Sequence, residues 1–366
     1  MYSLFDNEAQ IDLISQQMKD GMFQMNLKRL LGDAEHCMEI TRISVVDNPL
    51  VPPSGNVHDY YSIAPYYWPN PDTDDGLPYV KRDGEFNPEF EKCDRRRMDA
   101  ICATVRTLTL AYAVARDENY RQHAVKLVRG FFLDGETCMN PHLEFAQAVR
   151  GRMTGCGYGI IDIRYLYRML DMLTILDDRE LNKSIAAWMG KLQTWLLLSD
   201  KGREEAEHEN NHGTWYDVTN ASIALFCGNR ALAKDILAKF ETKRMLRQVA
   251  EDGSMPIELR RTRSFLYSTL NLYGYFMAAK LGEKADVDLW QSSAMRRAFE
   301  FMLPYYESYD KWTYTQIADN WEQTWEQAYE ILCLAAVKYA EPAYKRIAEQ
   351  MRMKHIQDSD VIFFGC

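Results

Sequence analysis

Two short stretches concentrate side chains that could move protons and hold an anion. The first is Glu209-Asn210-Asn211-His212-Gly213-Thr214-Trp215-Tyr216-Asp217. An imidazole transfers protons near neutral pH, and amides beside it donate hydrogen bonds. Asparagine and glycine disfavour a helix interior, so the histidine is expected where a loop enters a helix, with Thr214 as the N-cap. The second stretch begins Asp252-Gly253-Ser254-Met255-Pro256-Ile257-Glu258-Leu259-Arg260-Arg261-Thr262-Arg263 and continues Ser264-Phe265-Leu266-Tyr267-Ser268. A turn leads into three arginines within four residues, then into a helix bearing Tyr267. Guanidinium groups so crowded repel one another unless an anion or acidic side chains absorb the charge, and their planar fork matches a carboxylate. A cation beside a phenol also eases loss of the phenolic proton. The plainer readings are a structural hydrogen-bonding histidine and a solvated basic face. The chemical reading is proton transfer on a substrate held by its carboxylate.

The elements that must position these groups are helical. Met98, Ile101, Cys102, Val105, Leu108 and Tyr112 repeat at i, i+3, i+4, i+7, the period of one helix face. Tyr120, His123, Leu127 and Phe131 repeat likewise, as do Ile160, Ile163, Leu166, Leu170 and Leu173, then Ile185, Trp188, Leu192 and Trp195. Further helices are expected over about 8–31, 214–227, 231–250, 264–281, 287–303, 322–339 and 341–354. Their connections are short and carry breakers: Asp177-Asp178, Ser199-Asp200-Lys201-Gly202, Gly228-Asn229 and Leu281-Gly282. Convincing strand patterns are scarce. Many antiparallel helices on short loops give stacked hairpins. With no fixed-length repeat, the expected fold is all-α, an (α/α) toroid or incomplete barrel, in one domain spanning 1–366.

One segment departs from this pattern. Of 12 prolines, eight lie within 49–88 (Pro49, Pro52, Pro53, Pro65, Pro69, Pro71, Pro78 and Pro88), so the stretch cannot be a helix. It also carries Tyr60, Tyr61, Tyr66, Tyr67, Trp68 and Tyr79, whereas a disordered linker is poor in aromatics. An ordered extended loop over 49–90, acting as a lid or cleft wall, is the expectation. Its rings could stack on sugars, or could merely pin the loop to the core.

Bulk properties narrow the partners. The 366 residues are 47% hydrophobic and 26% charged, ample for a large core, and the net charge is -10. An acidic chain is a poor non-specific ligand for nucleic acid or an anionic membrane, so a polyanionic substrate would need a locally basic cleft. No stretch is expected to span a membrane. The opening MYSLFDNEAQ lacks the basic and apolar parts of a signal peptide. The eight cysteines, Cys37, Cys93, Cys102, Cys138, Cys156, Cys227, Cys333 and Cys366, include no C-x-x-C pair. Buried free thiols are the expected reading.

The blocks NNHGTWYD and DGSMPIELRRTRSFLYS resemble the alginate lyase family of polysaccharide lyases. So do the early SGNVHDYYSIAPYYWPNPDTDDGLPYVKRDGEFNPE and MNPHLEFAQ at 139–147. The likeness runs from about residue 50 to beyond 270. It implies an α/α toroid that degrades uronate polymers and works in the periplasm or outside the cell, on an anionic polysaccharide. By resemblance, Asn211 and His212 match the family's asparagine–histidine pair and Tyr267 its catalytic tyrosine. Arg261 matches the arginine on the substrate carboxylate best, with Arg260 one residue away. Asn210, Arg263, Tyr66, Tyr67, Trp68, His142 and Gln147 are the matching substrate-binding candidates. Family members best known as alginate lyases often carry another residue where this chain has Gly213, which bears on the substrate more than on the reaction.

The reaction so implied is β-elimination, with no metal or organic cofactor required. Carbon 5, alpha to the carboxylate, loses a proton while the glycosidic oxygen leaves carbon 4. Neutralising the carboxylate stabilises the enolate-like charge, a role for Asn211 and Arg261 with Asn210 in support. Tyr267 would give its proton to the leaving oxygen, and His212 would take the carbon-5 proton from the opposite face. Where both lie on one face, Tyr267 would act as base and then acid.

Three rivals stand beside this reading. His208-Glu209-Asn210-Asn211-His212 matches H-E-x-x-H, but that zinc motif needs both histidines on one helical face and a third ligand. A glycoside hydrolase on the same toroid would need two carboxylates, for which Glu209, Asp217, Glu258, Asp319 and Glu322 are available. A non-catalytic glycan-binding protein would keep the aromatics and arginines without depending on His212 or Tyr267.

Overall fold

Apolar residues at helical spacing become helices through most of the chain, and the fold is all-α. The computed structural model describes residues 24–317 and 322–356; the first part of the helix expected over 8–31 lies outside them, as do Cys366 and Asp319. Two compact units form. One comprises the described residues up to Glu207 together with Ser222–Asn229, the other His208–Ala221 with the described residues from Arg230 onward.

The first unit opens with α1 (Gln24–Met38) and continues through β1 (Tyr61–Ile63), β2 (Tyr67–Trp68), β3 (Val80–Lys81), α2 (Asp94–Ala115), α3 (Glu118–Phe132) and β4 (Phe145–Ala148), then α4 (Leu166–Leu176), α5 (Arg179–Leu198) and α6 (Asp200–Ala206). α2 is its central helix and packs on α1, α3 and α4. In length and composition α2 could cross a membrane, contrary to the expectation that no stretch could, yet 67% of its apolar window is buried inside the protein. That is the signature of a core helix. Short acids and serines start the helices as the breaker pattern implies. Asp117 accepts from the Asn119 amide, Asp178 from Leu181 and Ser199 from Gly202, each satisfying an orphan N–H of a first turn.

The proline-rich stretch is ordered and extended, as its aromatics require. β2 pairs antiparallel with β3, and β1 runs parallel to β4 with an irregular register between Tyr61↔Phe145 and Ile63↔Ala148. Tyr60 and Tyr61 are buried, whereas Tyr66, Tyr67 and Trp68 are half-buried. The loop therefore uses some rings as anchors and leaves others partly open.

The second unit contains α7 (Asn211–Phe226), of which 211–221 belong here and 222–226 to the first unit, and α8 (Arg230–Ala238). A π-helical turn, Glu241–Met245, leads into α9 (Leu246–Gln248), where the sequence pattern had suggested one helix from 231 to 250. Then come α10 (Pro256–Leu259), α11 (Ser264–Ala285), α12 (Ser293–Glu307), α13 (Glu322–Lys338) and α14 (Pro342–His355). α11 is buried on nearly every side and packs on α8, α10, α12 and α13. Leu281-Gly282 does not break it. The helix runs on to a left-handed Asp286, and Gly282 is instead a close approach, since a Cβ there would lie 2.3 Å from the Val287 carbonyl oxygen. Cys93, Cys102, Cys156 and Cys333 are buried free thiols, and Cys37, Cys138 and Cys227 are partly buried ones.

Candidate active site

α7 begins at Asn211, so His212 stands in the first turn of a helix. The cap is Asn210, whose Oδ1 accepts from the His212 amide at 3.1 Å. Thr214, the cap expected from sequence, has its hydroxyl buried and donating to Gln248 Oε1 at 3.1 Å. The loop before the helix is held by side chains from one later segment. Arg244 Nη1 donates to the His208 carbonyl at 2.9 Å and Gln248 Nε2 to the Asn210 carbonyl at 3.2 Å. Glu258 Oε1 accepts from the Asn211 backbone N–H at 2.7 Å. Arg244 and Gln248 flank the end of the π-helical turn, a distortion that often marks functional sites.

Gly213 has a steric reason. A Cβ there would fall 2.1 Å from the His208 carbonyl oxygen and 2.3 Å from Arg244 Nη1. That guanidinium is 1% exposed and pairs with Asp217 at 2.7 Å. A buried pair of this kind is retained only when its remaining hydrogen-bonding capacity is met, which the His208 carbonyl helps to do. Glycine after the histidine is thus the room required for Arg244.

The helix carrying the histidine meets the helix carrying the tyrosine. Tyr267, Leu270, Asn271 and Gly274 follow one face of α11 at i, i+3, i+4, i+7. A Cβ at Gly274 would lie 2.5 Å from Thr214 Cγ2, and Trp215 Nε1 donates to the Leu270 carbonyl at 3.1 Å. Asn271 Nδ2 and the Tyr275 hydroxyl both donate to Gln248 Oε1, at 2.8 and 2.7 Å, the same oxygen that Thr214 uses. Burial, reinforced by Glu258, holds the Tyr275 hydroxyl well above its ordinary pKa, so it stays a donor. The start of α11 is fixed as well. Ser264 N and Oγ donate to the Thr315 carbonyl at 3.1 and 2.6 Å, and Phe265 N donates to Gln316 Oε1 at 3.0 Å.

Among the arginines, geometry separates neighbours that the sequence could not. Arg260 is exposed, Arg263 is buried at the start of α11, and Arg261 is half-buried with its guanidinium carbon 3.9 Å from the centroid of the Tyr267 ring. Tyr267 itself is 7% exposed. Glu258 links the groups. It is 1% exposed, and the Asn211 Nδ2 donates to both its oxygens at 3.0 Å. Burial pushes the Glu258 carboxyl up, opposed by the Asn211 side-chain and backbone hydrogen bonds and by the charges of Arg261 and His212. Asn211, His212 and Arg261 are therefore grouped about one buried carboxylate, and Tyr267 joins them through its contact with Arg261. From sequence, that acid stood only among the carboxylates available to a hydrolase.

The first unit holds the other candidates. Tyr66 packs on Phe86 with centroids 5.2 Å apart, and Tyr67 and Trp68 form β2. Trp68 Nε1 donates to the Glu85 carbonyl at 3.0 Å, with the Arg82 guanidinium 5.2 Å above its ring. His142 Nε2 meets Asp59 at 3.0 Å. Gln147 adopts φ +47 at the irregularity of β4 and donates from Nε2 to the buried Asp162 at 2.8 Å. Asp162 also accepts from Tyr60, Ser62 and Arg95.

The rival chemistries fare differently. His208 precedes the helix rather than sharing a turn with His212, and among the described residues no three metal-binding side chains converge. Of the acids open to a hydrolase, Asp217 is committed to Arg244, Glu258 to Asn211, and Glu209 to Arg247 at 3.2 Å. Asp319 and the Glu322 side chain lie outside the described residues.

Comparison with known proteins places this predominantly helical chain in the class of polysaccharide lyases. The alginate lyase family profile matches residues 44–312. A solved structure, an alginate lyase from Bacteroides ovatus, is 32% identical with a TM-score of 0.92, covering 99% of this chain and 98% of that one. A search among curated proteins finds no match. The chain belongs to the alginate lyase family.

Proposed function

We propose that this enzyme cleaves alginate by β-elimination and leaves an unsaturated sugar at the new non-reducing end. The stack of Arg261 on Tyr267 carries the proposal, because it joins a carboxylate-binding fork to a proton-transferring phenol. Arg261 neutralises the uronate carboxylate with help from Asn211, which stabilises the charge that develops as carbon 5 loses its proton. Tyr267 delivers its proton to the departing glycosidic oxygen. His212 takes the carbon-5 proton when it lies on the opposite face, as in guluronate. When both groups share a face, as in mannuronate, Tyr267 serves as base and then as acid, and His212 is a neutral partner.

Asn210 and Arg263 support this set. Tyr66, Tyr67, Trp68, His142 and Gln147 are the proposed substrate contacts of the first unit, with 49–90 as a cleft wall or lid in a toroidal lyase domain. Glucuronan, which bears the same carboxylate on the same carbon, is a second substrate of this chemistry. The test is a panel of mannuronate-rich and guluronate-rich alginate and glucuronan, read by the ultraviolet absorbance of the new C=C bond and by product length. New reducing ends without that absorbance would instead mean hydrolysis.

A further inference from the structure

A primary amide is nearly symmetrical in shape but opposite in chemistry at its two ends, so an asparagine can occupy one site in two orientations. At Asn211 the neighbours choose between them. The side chain is 0% exposed. Its Nδ2 lies 3.0 Å from both Glu258 oxygens, while its Oδ1 is buried and has no hydrogen-bond partner. Turning the amide over would set Oδ1 against a carboxylate, acceptor on acceptor, in a site where mispaired polar groups are costly. The carboxylate cannot easily move to accommodate that, because it also receives the Asn211 backbone N–H at 2.7 Å. That N–H is one of the orphan donors of the first turn of α7.

We propose that Glu258 is a positioning residue of the lyase reaction, acting through Asn211 by fixing which end of its amide meets the substrate. The assignment rests on the β-elimination reading above, in which Asn211 faces the uronate carboxylate. Nδ2 lies 3.0 Å from both Glu258 oxygens, and the β-elimination reading sets that same nitrogen toward the uronate carboxylate. A reversed amide would offer oxygen where the substrate also brings oxygen. Glu258 touches no substrate in this account. Its neighbours Arg261 and His212 gain a counter-charge from it, but among the described residues the hydrogen bonds to its carboxylate come from Asn211.

Glu258→Gln tests this with almost no change of shape. Gln Oε1 can still accept the Asn211 backbone N–H, but its NH2 then faces Nδ2 where the second oxygen had been, so the charge and one of the two acceptors that hold the amide in its present orientation are lost. The full-length variant, assayed on the alginate fraction that the wild type cleaves best, is expected to lose about 10- to 100-fold in kcat with a smaller change in KM. In an Asn211→Ala background, with residual rates read over long incubations at high enzyme concentration, Glu258→Gln is expected to add no further loss, because its route of action is gone. Wild-type kcat in Glu258→Gln overturns the assignment, and so does a loss that persists in full without Asn211. If Glu258→Gln does not fold, Glu258→Asp is the alternative. It keeps the charge beside Arg261 but withdraws the carboxylate from Asn211, and the same two outcomes decide. A wild type that forms no unsaturated product from any uronate polymer refutes the lyase reading. An active wild type with an unaffected Glu258→Gln refutes only the role of Glu258.

Discussion

The guanidinium of Arg261 lies face-on to the ring of Tyr267, 3.9 Å from its centroid. A cation over an aromatic face is attracted by the ring quadrupole, more strongly where water is partly excluded. Here the contact fixes the attitude of a nearly buried phenol and sets positive charge beside the ring whose oxygen the proposed mechanism uses for proton transfer. One residue thereby orients the proton carrier and offers the fork that an acidic sugar would occupy.

Tyr267→Phe removes the proton and keeps the ring under Arg261. Turnover is expected to fall by roughly a hundred- to ten-thousand-fold, with polymer binding retained. Initial rates of unsaturated product, set beside a gel-retardation or calorimetric binding measurement on the same polymer, check this. A variant as active as the wild type would remove Tyr267 from the mechanism.

Arg261→Ala takes away both the fork and the cation over the ring, so KM is expected to rise and kcat to fall together. Arg261→Lys keeps the charge and loses planar two-point recognition, and is expected to recover only part of the lost kcat/KM. Unchanged constants for Arg261→Ala would exclude a carboxylate contact. Arg260→Ala is the control, since that side chain is exposed.

Gly213→Ala tests the packing beneath the histidine. The added carbon would sit 2.1 Å from the His208 carbonyl oxygen and 2.3 Å from a buried guanidinium nitrogen. Neither the backbone nor Arg244, tied to Asp217, can yield cheaply. A destabilisation of about 1–3 kcal/mol is expected, measured by urea denaturation. Equal stability would mean that the loop 208–211 relaxes more freely than its hydrogen bonds suggest.

Asp94 gives a pH signature in the first unit. Burial raises its carboxyl from the ordinary 3.8 to about 7, against the opposing effects of the Tyr61 N–H, Asn48 and Arg97. A folded-state value above the unfolded one means that the native state holds the extra proton between those pH values. Stability from this group is therefore greatest at low pH, declines from about pH 4 to pH 7 and then levels off. Asp94→Asn keeps an acceptor for the Tyr61 N–H and is expected to melt higher than the wild type at pH 8, with a smaller difference or a reversal at pH 4. Parallel melting curves at both pH values would contradict the burial argument.

The helices were largely legible because an apolar stripe at 3.6-residue spacing has few other solutions. The two polar blocks of the candidate site stood out because amides, glycine and clustered arginines are expensive anywhere but at a site or a surface. What escaped the sequence was tertiary in origin. Glu258 stands between Ile257 and Leu259, and an acid within so apolar a run beside three arginines was the available hint. Its partner, however, is an asparagine far upstream. Thr214 looked like a cap because a cap needs only a short polar side chain, but Gln248 claims its hydroxyl. The π-helical turn at 241–245 left no trace in the apolar period. Arg260 and Arg261 are equivalent in sequence and are told apart only by which of them reaches Tyr267.

That extra-wide turn has a consequence for how such an enzyme can be altered. Each helical residue advances its side chain by about 100° around the axis. Deleting one residue between Glu241 and Met245 would swing Arg244 and Gln248 off their common bearing, releasing the carbonyls of His208 and Asn210 together. The imidazole could thus be detuned by a length change some thirty positions downstream, with every proposed substrate-contacting side chain unchanged in the sequence. Natural or engineered variants in this segment merit inspection for insertions and deletions before substitutions.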